Sequence, residues 1–341
     1  TLTDPNSPFY IPPPSGISVL TLTFDSAWLA TNANTVTPPI SGGTSVTINF
    51  GAEEVPYEEG TSVAIPDGSD SVTITGDFTR FGLDVENSWP GSAGLVSVNA
   101  PSIVSITSFK GAFNFCVLFD GAGIDQWNVT NVTDMSYMFY GCSVFNNQNL
   151  GNWERSTAGN TSTTSNVTSM VQMFVACGAF TGASIDQWNV TNVKDMNSMF
   201  LGSSVFNNQN LGNWQRTTPS TSSTSNVTNM ANMFSECRLF TGAGIDLWNV
   251  TNVREMGGMF GACPVFNNQN LGNWQRSTAG NTSSTSNVTN MAGMFSSADA
   301  LYNANGTFKA NLTNWNVTQV SLKNQFLKRV TIHLTITNIQ T

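Results

Sequence analysis

From Trp127 onward the apolar residues recur as W-x-V-x-x-V-x-x-M-x-x-M-F, and the pattern returns almost unchanged from Trp188 and Trp248. Registered on its Met-x-x-Met-Phe ending, the closing aromatic falls at Phe139, Phe174, Phe200, Phe234, Phe260 and Phe295, with Phe113 in "KGAFNFC" as an earlier, degenerate member. The intervals alternate between 26 and 34–35 residues, so the unit is about 26 residues with an insertion of eight or nine in every second copy. Within it, Val-x-x-Met-x-x-Met-Phe places apolar residues at i, i+3, i+6 and i+7, which suits a short helical or 3₁₀ turn with one buried face. Phe145 and Leu150, or Phe180 and Ile185, then bracket a short extended segment. One strand and one helical turn per unit predicts an α/β solenoid of leucine-rich-repeat type, whose rungs bury their apolar faces only by stacking.

Other periods flank the array. "ISVLTLTF", "TSVTINF", "TSVAI" and "SVTITGDF" alternate apolar and polar residues between Pro, Gly and Asp turn signals. They predict a small immunoglobulin-like β-sandwich over 16–80. A Pro-rich segment, 1–15, precedes it as an extended arm, and 81–329 form the solenoid, beginning with degenerate rungs. Near the end, "WNVTQVSLKNQFL" keeps Trp315, Val317 and Val320 but puts Lys323 where the first Met belongs, as a final rung would. The last segment, 330–341, reads as a β-strand with Val330, Ile332, Leu334 and Ile336 on one face.

The repeat resembles that of the BspA-like leucine-rich-repeat surface proteins, in particular the subgroup seen in mycoplasma lipoproteins, W-x-V-[ST]-x-V-x-x-M-x-x-M-F-x-x-[AC]-x-x-F-N. Here it is carried by Trp127, Val129, Thr130, Val132, Met135, Met138, Phe139, Cys142, Phe145 and Asn146, and again in later copies across about 105–327. The resemblance implies a secreted or surface-displayed, non-enzymatic solenoid used for adhesion or surface structure.

Charged residues make up only 10% of the chain, against about a quarter in an average domain. The polar surface is therefore built from Asn, Thr, Ser and Gln. A net charge of −9 with only 12 Lys and Arg argues against a nucleic-acid partner. No apolar run has membrane-spanning length and no leader is legible, so the chain reads as a mature, processed form without a membrane span. The single histidine, His333, lies on the terminal strand, and no nucleophile or zinc signature accompanies it. An enzyme is not expected, and neither is a cofactor.

Cys116, Cys142, Cys177, Cys237 and Cys263 all lie three residues after the motif Phe, where Ser203 and Ala298 stand in other copies. That interchange reads as a small buried slot, with inter-rung disulfides or a metal ladder as the alternative. Asp125, Asp186 and Asp246 form one column, and Asp134, Asp195 and Glu255 another. Turn capping and Ca²⁺ ligation are the two readings there.

Asn160 and Asn281, in the Ser/Thr-rich insertions, are the glycosylation candidates among many Asn-x-Ser/Thr sequons. "FNNQNL" repeats as an amide-rich face, with Asn147, Asn149, Asn208, Asn210, Asn268 and Asn270 as possible contacts to a glycan or a host surface protein. Phe9, Tyr10 and Ile11 of the arm, and Ile332, Leu334 and Ile336 of the last strand, are candidates for joining copies of the chain, since a terminal strand can complete a neighbour's sheet. Two functions follow: an extracellular or cell-surface structural protein that self-assembles into a filament or layer, and a monomeric adhesin.

Overall fold

The computed structural model describes residues 16–322, except 51–52, 84–87, 147–148, 158–159, 209, 218–220, 269, 279–280, 302–308, 311 and 313. The arm (1–15) and the final strand (330–341) lie outside the described residues.

The N-terminal region contains β1 (Ser18–Phe24), α1 (Ser26–Thr31), β2 (Thr35–Val36), β3 (Ile40–Ser41), β4 (Val46–Asn49), β5 (Glu54–Pro56), β6 (Val63–Ala64), β7 (Ser71–Gly76), β8 (Arg80–Phe81) and β9 (Leu95–Ser102). Alternation dictates the main sheet, which is antiparallel with order β5-β4-β7-β1-β9. Leu20 and Leu22 lie opposite Ile74 and Val72, and all four are fully buried. On the other face Thr21 and Thr73 share a hydroxyl hydrogen bond of 2.8 Å. The expected immunoglobulin-like β-sandwich is not formed: among the described residues the only other strands here are the two-residue ribbons β2·β6 and β3·β8, too short to build a second facing sheet.

The repeats overturn the expected α/β solenoid. Among the described residues they contain no α-helix and no parallel strand longer than a single bridge. Their elements are 3₁₀ turns, such as Ile124–Gln126 and Leu150–Trp153, and short antiparallel hairpins. Successive rungs are joined by one-residue parallel bridges through Ser108, Asp134, Ser169, Asp195, Asn229, Glu255, Asn290 and Leu322.

The reason lies in the backbone. Met138 N donates to Met135 O and Cys142 N to Phe139 O, closing two turns in one rung. The third residue of each, Tyr137 (φ 59°) and Gly141 (φ 72°), is left-handed, the geometry of a type II turn. The same two positions, two residues before and after the motif Phe, have positive φ in every rung, including Gln172, Ala176, Ser198, Asn232, Glu236, Ala262 and Ser297. A left-handed residue cannot propagate a right-handed helix. What it does is set the turn's central peptide along the stack. Met135, Tyr137, Phe139 and Gly141 thus donate to the carbonyls of Ser169, Val171, Met173 and Val175 in the next rung, at 2.8–3.0 Å. The three-residue apolar spacing is a turn period, with Val132, Met135 and Met138 at successive inner corners.

Inside, the motif phenylalanines stack face to face: Phe113–Phe139, Phe139–Phe174, Phe174–Phe200 and Phe200–Phe234 have centroids 5.3–5.7 Å apart. Each also stacks at about one ring thickness on the second Phe of its rung, as Phe139 on Phe145 at 4.0 Å. At the N-terminal end β8 bridges Ser108, Phe81 packs edge-on against Phe113 at 5.4 Å, and Trp89 Nε1 donates to Ala112 O at 3.1 Å. The sheet region therefore caps the first rung and shares its core.

Candidate functional site

The repeated polar side chains are spent mostly on neighbouring rungs. Indole N–H groups of Trp153, Trp188, Trp214, Trp248, Trp274 and Trp315 donate to carbonyls of the preceding rung at 2.7–2.9 Å. Asn166, Asn192, Asn226, Asn252 and Asn287 donate their side-chain amides in the same direction at 2.7–2.8 Å. Asn128, Asn189 and Asn249 instead accept from the N–H two residues on. The sequons within the repeat motif are thus hydrogen-bonding elements of the stack.

A further ladder was not read from the sequence. Arg155 donates Nη1 to Trp127 O (3.0 Å) and Asn152 O (2.6 Å) and Nη2 to Gln126 O (2.8 Å). Arg216 and Arg276 repeat this on Trp188, Asn213 and Gln187, and on Trp248, Asn273 and Leu247. These carbonyls end the 3₁₀ turns, where a cation is favoured. Partial burial pulls each guanidinium below its ordinary value, opposed by Asp125 for Arg155, by Glu154 and Asp186 for Arg216, and by Asp246 for Arg276. The available signal was one Arg recurring two residues after each "GNW".

Asp186 is buried and accepts from Asn208 (3.2 Å), Asn213 (3.0 Å) and Gln187 (2.6 Å). Asp246 does the same with Asn268 and Asn273. In the other acidic column, Asp134 and Asp195 each accept the N–H two residues on, at 2.8 Å. Among the described residues no group of three or more His, Cys, Asp or Glu is arranged to hold a metal ion. All five cysteines are free and buried. Cys142, Cys177, Cys237 and Cys263 point Sγ at the preceding rung's Phe carbonyl at 2.8–3.0 Å, and Ser203 Oγ takes the same bond at 2.5 Å. Burial raises every thiol's pKa, that of Cys263 to about 12.

The expected amide face divides. Asn208 and Asn268 are buried, their amides donated at 2.6 Å to Gly182 O and Gly242 O. Asn149, Asn210 and Asn270 are exposed at the start of the 3₁₀ turns, and Asn147 lies outside the described residues. Asn160 and Asn281 open the second strands of two hairpins, β10 (Arg155–Thr157) with β11 (Asn160–Ser162) and β12 (Arg276–Thr278) with β13 (Asn281–Ser283). Phe9, Tyr10, Ile11, Ile332, Leu334 and Ile336 lie outside the described residues.

Two surfaces remain. Five residues after the motif Phe, each rung carries an aliphatic side chain: Leu118, Val144, Ala179, Val205, Leu239, Val265 and Ala300. None of them is buried, and Leu118, Val144, Leu239 and Val265 are 39–51% exposed. On another side, a cleft of about 570 Å³ is lined by Thr130, Glu154, Arg155, Ser156, Thr161 and Thr163 of one module and Gln187, Asn213 and Arg216 of the next. Among the described residues no helix is long and apolar enough to cross a membrane.

These ladders define a protein of stacked tandem repeats whose structural unit is a pair of rungs. Residues 94–163, 156–222, 218–284 and 279–335 each match the family described as "Mycoplasma protein of unknown function, DUF285", and the chain belongs to that family. The first three matches each contain two motif phenylalanines, so the family unit is the two-rung module. No curated protein and no solved structure matches the chain.

Proposed function

We propose that the chain is a non-enzymatic structural protein of the cell surface or extracellular space that assembles with copies of itself. The observation that carries this reading is the aliphatic ridge. An exposed apolar stripe marks an interaction site, and the surface whose knobs recur at the same rung interval is another copy of this chain. The terminal segments, with Phe9, Tyr10 and Ile11 at one end and Ile332, Leu334 and Ile336 at the other, supply a second, end-to-end contact. The motif's resemblance to BspA-like surface proteins and mycoplasma lipoproteins supports the location. The test is sedimentation and negative-stain imaging of three chains: the full chain, one lacking residues 1–15, and the Leu118→Asp/Leu239→Asp variant. Ordered polymers of the full chain that shrink in either altered chain support the reading. Monodisperse monomers in all three overturn it.

A second reading is favoured by the cleft beside the Arg155–Ser162 hairpin: a surface adhesin that takes a glycan or a host surface protein at the hairpin side of the stack.

A further inference from the structure

We propose that the hairpin side of the stack binds a linear, uncharged polysaccharide in extended conformation, one disaccharide to each two-rung module. This rests on the adhesin reading and names its ligand class.

Charge comes first. The cleft contains two arginines and a glutamate, yet these groups are engaged within the stack. Arg155 and Arg216 direct both Nη atoms at backbone carbonyls. Glu154 accepts from both Thr163 and Thr164, at 2.9–3.1 Å. Its exposed walls are the hydroxyls of Ser156 and Thr161 and the side chains of Gln187 and Asn213, which donate their amide nitrogens to Asp186 and leave their carbonyl oxygens to a ligand in the cleft. Such a lining offers short-range hydrogen bonds to a hydroxyl-bearing ligand, and its two arginines are offset by Glu154 and by the neighbouring Asp125 and Asp186, which leaves no excess positive charge to attract an anion.

Period comes second. Rungs are joined by parallel bridges, and strand-type neighbours lie about 4.8 Å apart, so two-rung modules recur at roughly 10 Å. Arg155, Arg216 and Arg276 mark that interval with the same clamp. A β-1,4-linked hexose chain in its two-fold extended form presents the same face once per disaccharide, over a closely similar length. A chain lying along the stack therefore meets the same arginine clamp at each module. Where the first interval has Gln187, the next has Leu247, which is 48% exposed and offers an apolar face to a pyranose ring. Each module alone holds the ligand weakly, and consecutive modules add through effective concentration.

The experiment is calorimetric titration of the full chain with β-1,4-linked glucose and N-acetylglucosamine oligomers, from dimer to octamer. The expected result is affinity that climbs in steps at even chain lengths, by about tenfold or more per added module, with little change between low and high salt. Ser156→Trp and Thr161→Trp, on the exposed hairpin, are expected to weaken octamer binding about tenfold while the thermal transition stays in place. Absence of binding to every oligomer, affinity independent of length, or full affinity in both folded tryptophan variants would each overturn the proposal. Retention of the chain on protein-coated surfaces without oligomer binding overturns the polysaccharide and leaves the adhesin reading standing. Failure of both removes that reading as well.

Discussion

The N-terminal sheet and the repeat stack bury aromatic and aliphatic side chains equally well, by two different backbone solutions. In the sheet, pairing runs along whole strands, and Leu20, Leu22, Val72 and Ile74 alternate with surface threonines. In the stack, each rung-to-rung contact is a set of hydrogen bonds from consecutive turns, and every third residue points inward. A strand tolerates any residue of the right polarity. A rung also needs two residues willing to adopt positive φ, a tryptophan and asparagines placed to reach the previous rung, and in every second rung an arginine that does the same. The stack is the more demanding structure because its backbone is not self-sufficient within one rung.

The comparison breaks most visibly at Phe200, stacked between Phe174 and Phe234. Phe200→Ala should cost about 3–5 kcal/mol and remove hydrogen-exchange protection from the adjoining rungs first, leaving the β1·β7 pairing protected. Loss of both together would show one cooperative unit instead of a nearest-neighbour array. Trp188→Phe keeps most of the ring but loses the indole N–H bond to Leu150 O at 2.8 Å, a carbonyl that also closes the Leu150–Trp153 turn. Losing that one bond should cost about 0.5–1.5 kcal/mol in urea unfolding.

Substitutions at the left-handed positions sharpen the contrast. Gln172 sits at φ 54°, so Gln172→Gly should stabilise by about 1 kcal/mol by relieving the side chain's clash. Gly141→Ala should destabilise, because its Cβ would lie 2.7 Å from the Phe115 ring at φ 72°. A rise in melting temperature for the first and a fall for the second is the expected pair.

The smallest effect belongs to the sheet region. Asp77 accepts from Thr44 Oγ1, Thr44 N and Ser45 N, which lowers its pKa from the usual carboxylate range to about 2. Because the folded value lies below the unfolded one, its contribution is present above about pH 4 and is lost as pH falls through about 2. An NMR titration should place the Asp77 midpoint near 2, with Thr44 and Ser45 amides shifting together. A midpoint near 4 would remove these bonds from solution.

The alternation in "SVLTLTF" and "SVTITG" announced strands because period two has one physical cause. The spacing of Val132, Met135 and Met138 did not announce its backbone, because a three-residue step fits a 3₁₀ helix and a run of turns alike. The deciding signal was Gly141 and its counterparts. Their column also holds Ala176, Glu236 and Ser297, so no residue type marks it. Among the candidate contacts, Asn208 and Asn210 stand two apart in one segment, and nothing in "FNNQNL" tells that the first is buried against Asp186 while the second faces solvent.

The sequence by itself determined the repeat, its two-rung module, the small slot occupied by Cys142 or Ser203, and the array's membership in a tandem-repeat family, because a rung that cannot bury its own apolar face must be copied. Only the tertiary structure decided how the copies join. The direction of each central peptide, the carbonyl that Arg155 reaches and the burial of Asp186 depend on where the next rung lies, and that position is fixed by contacts between residues 26 to 38 apart.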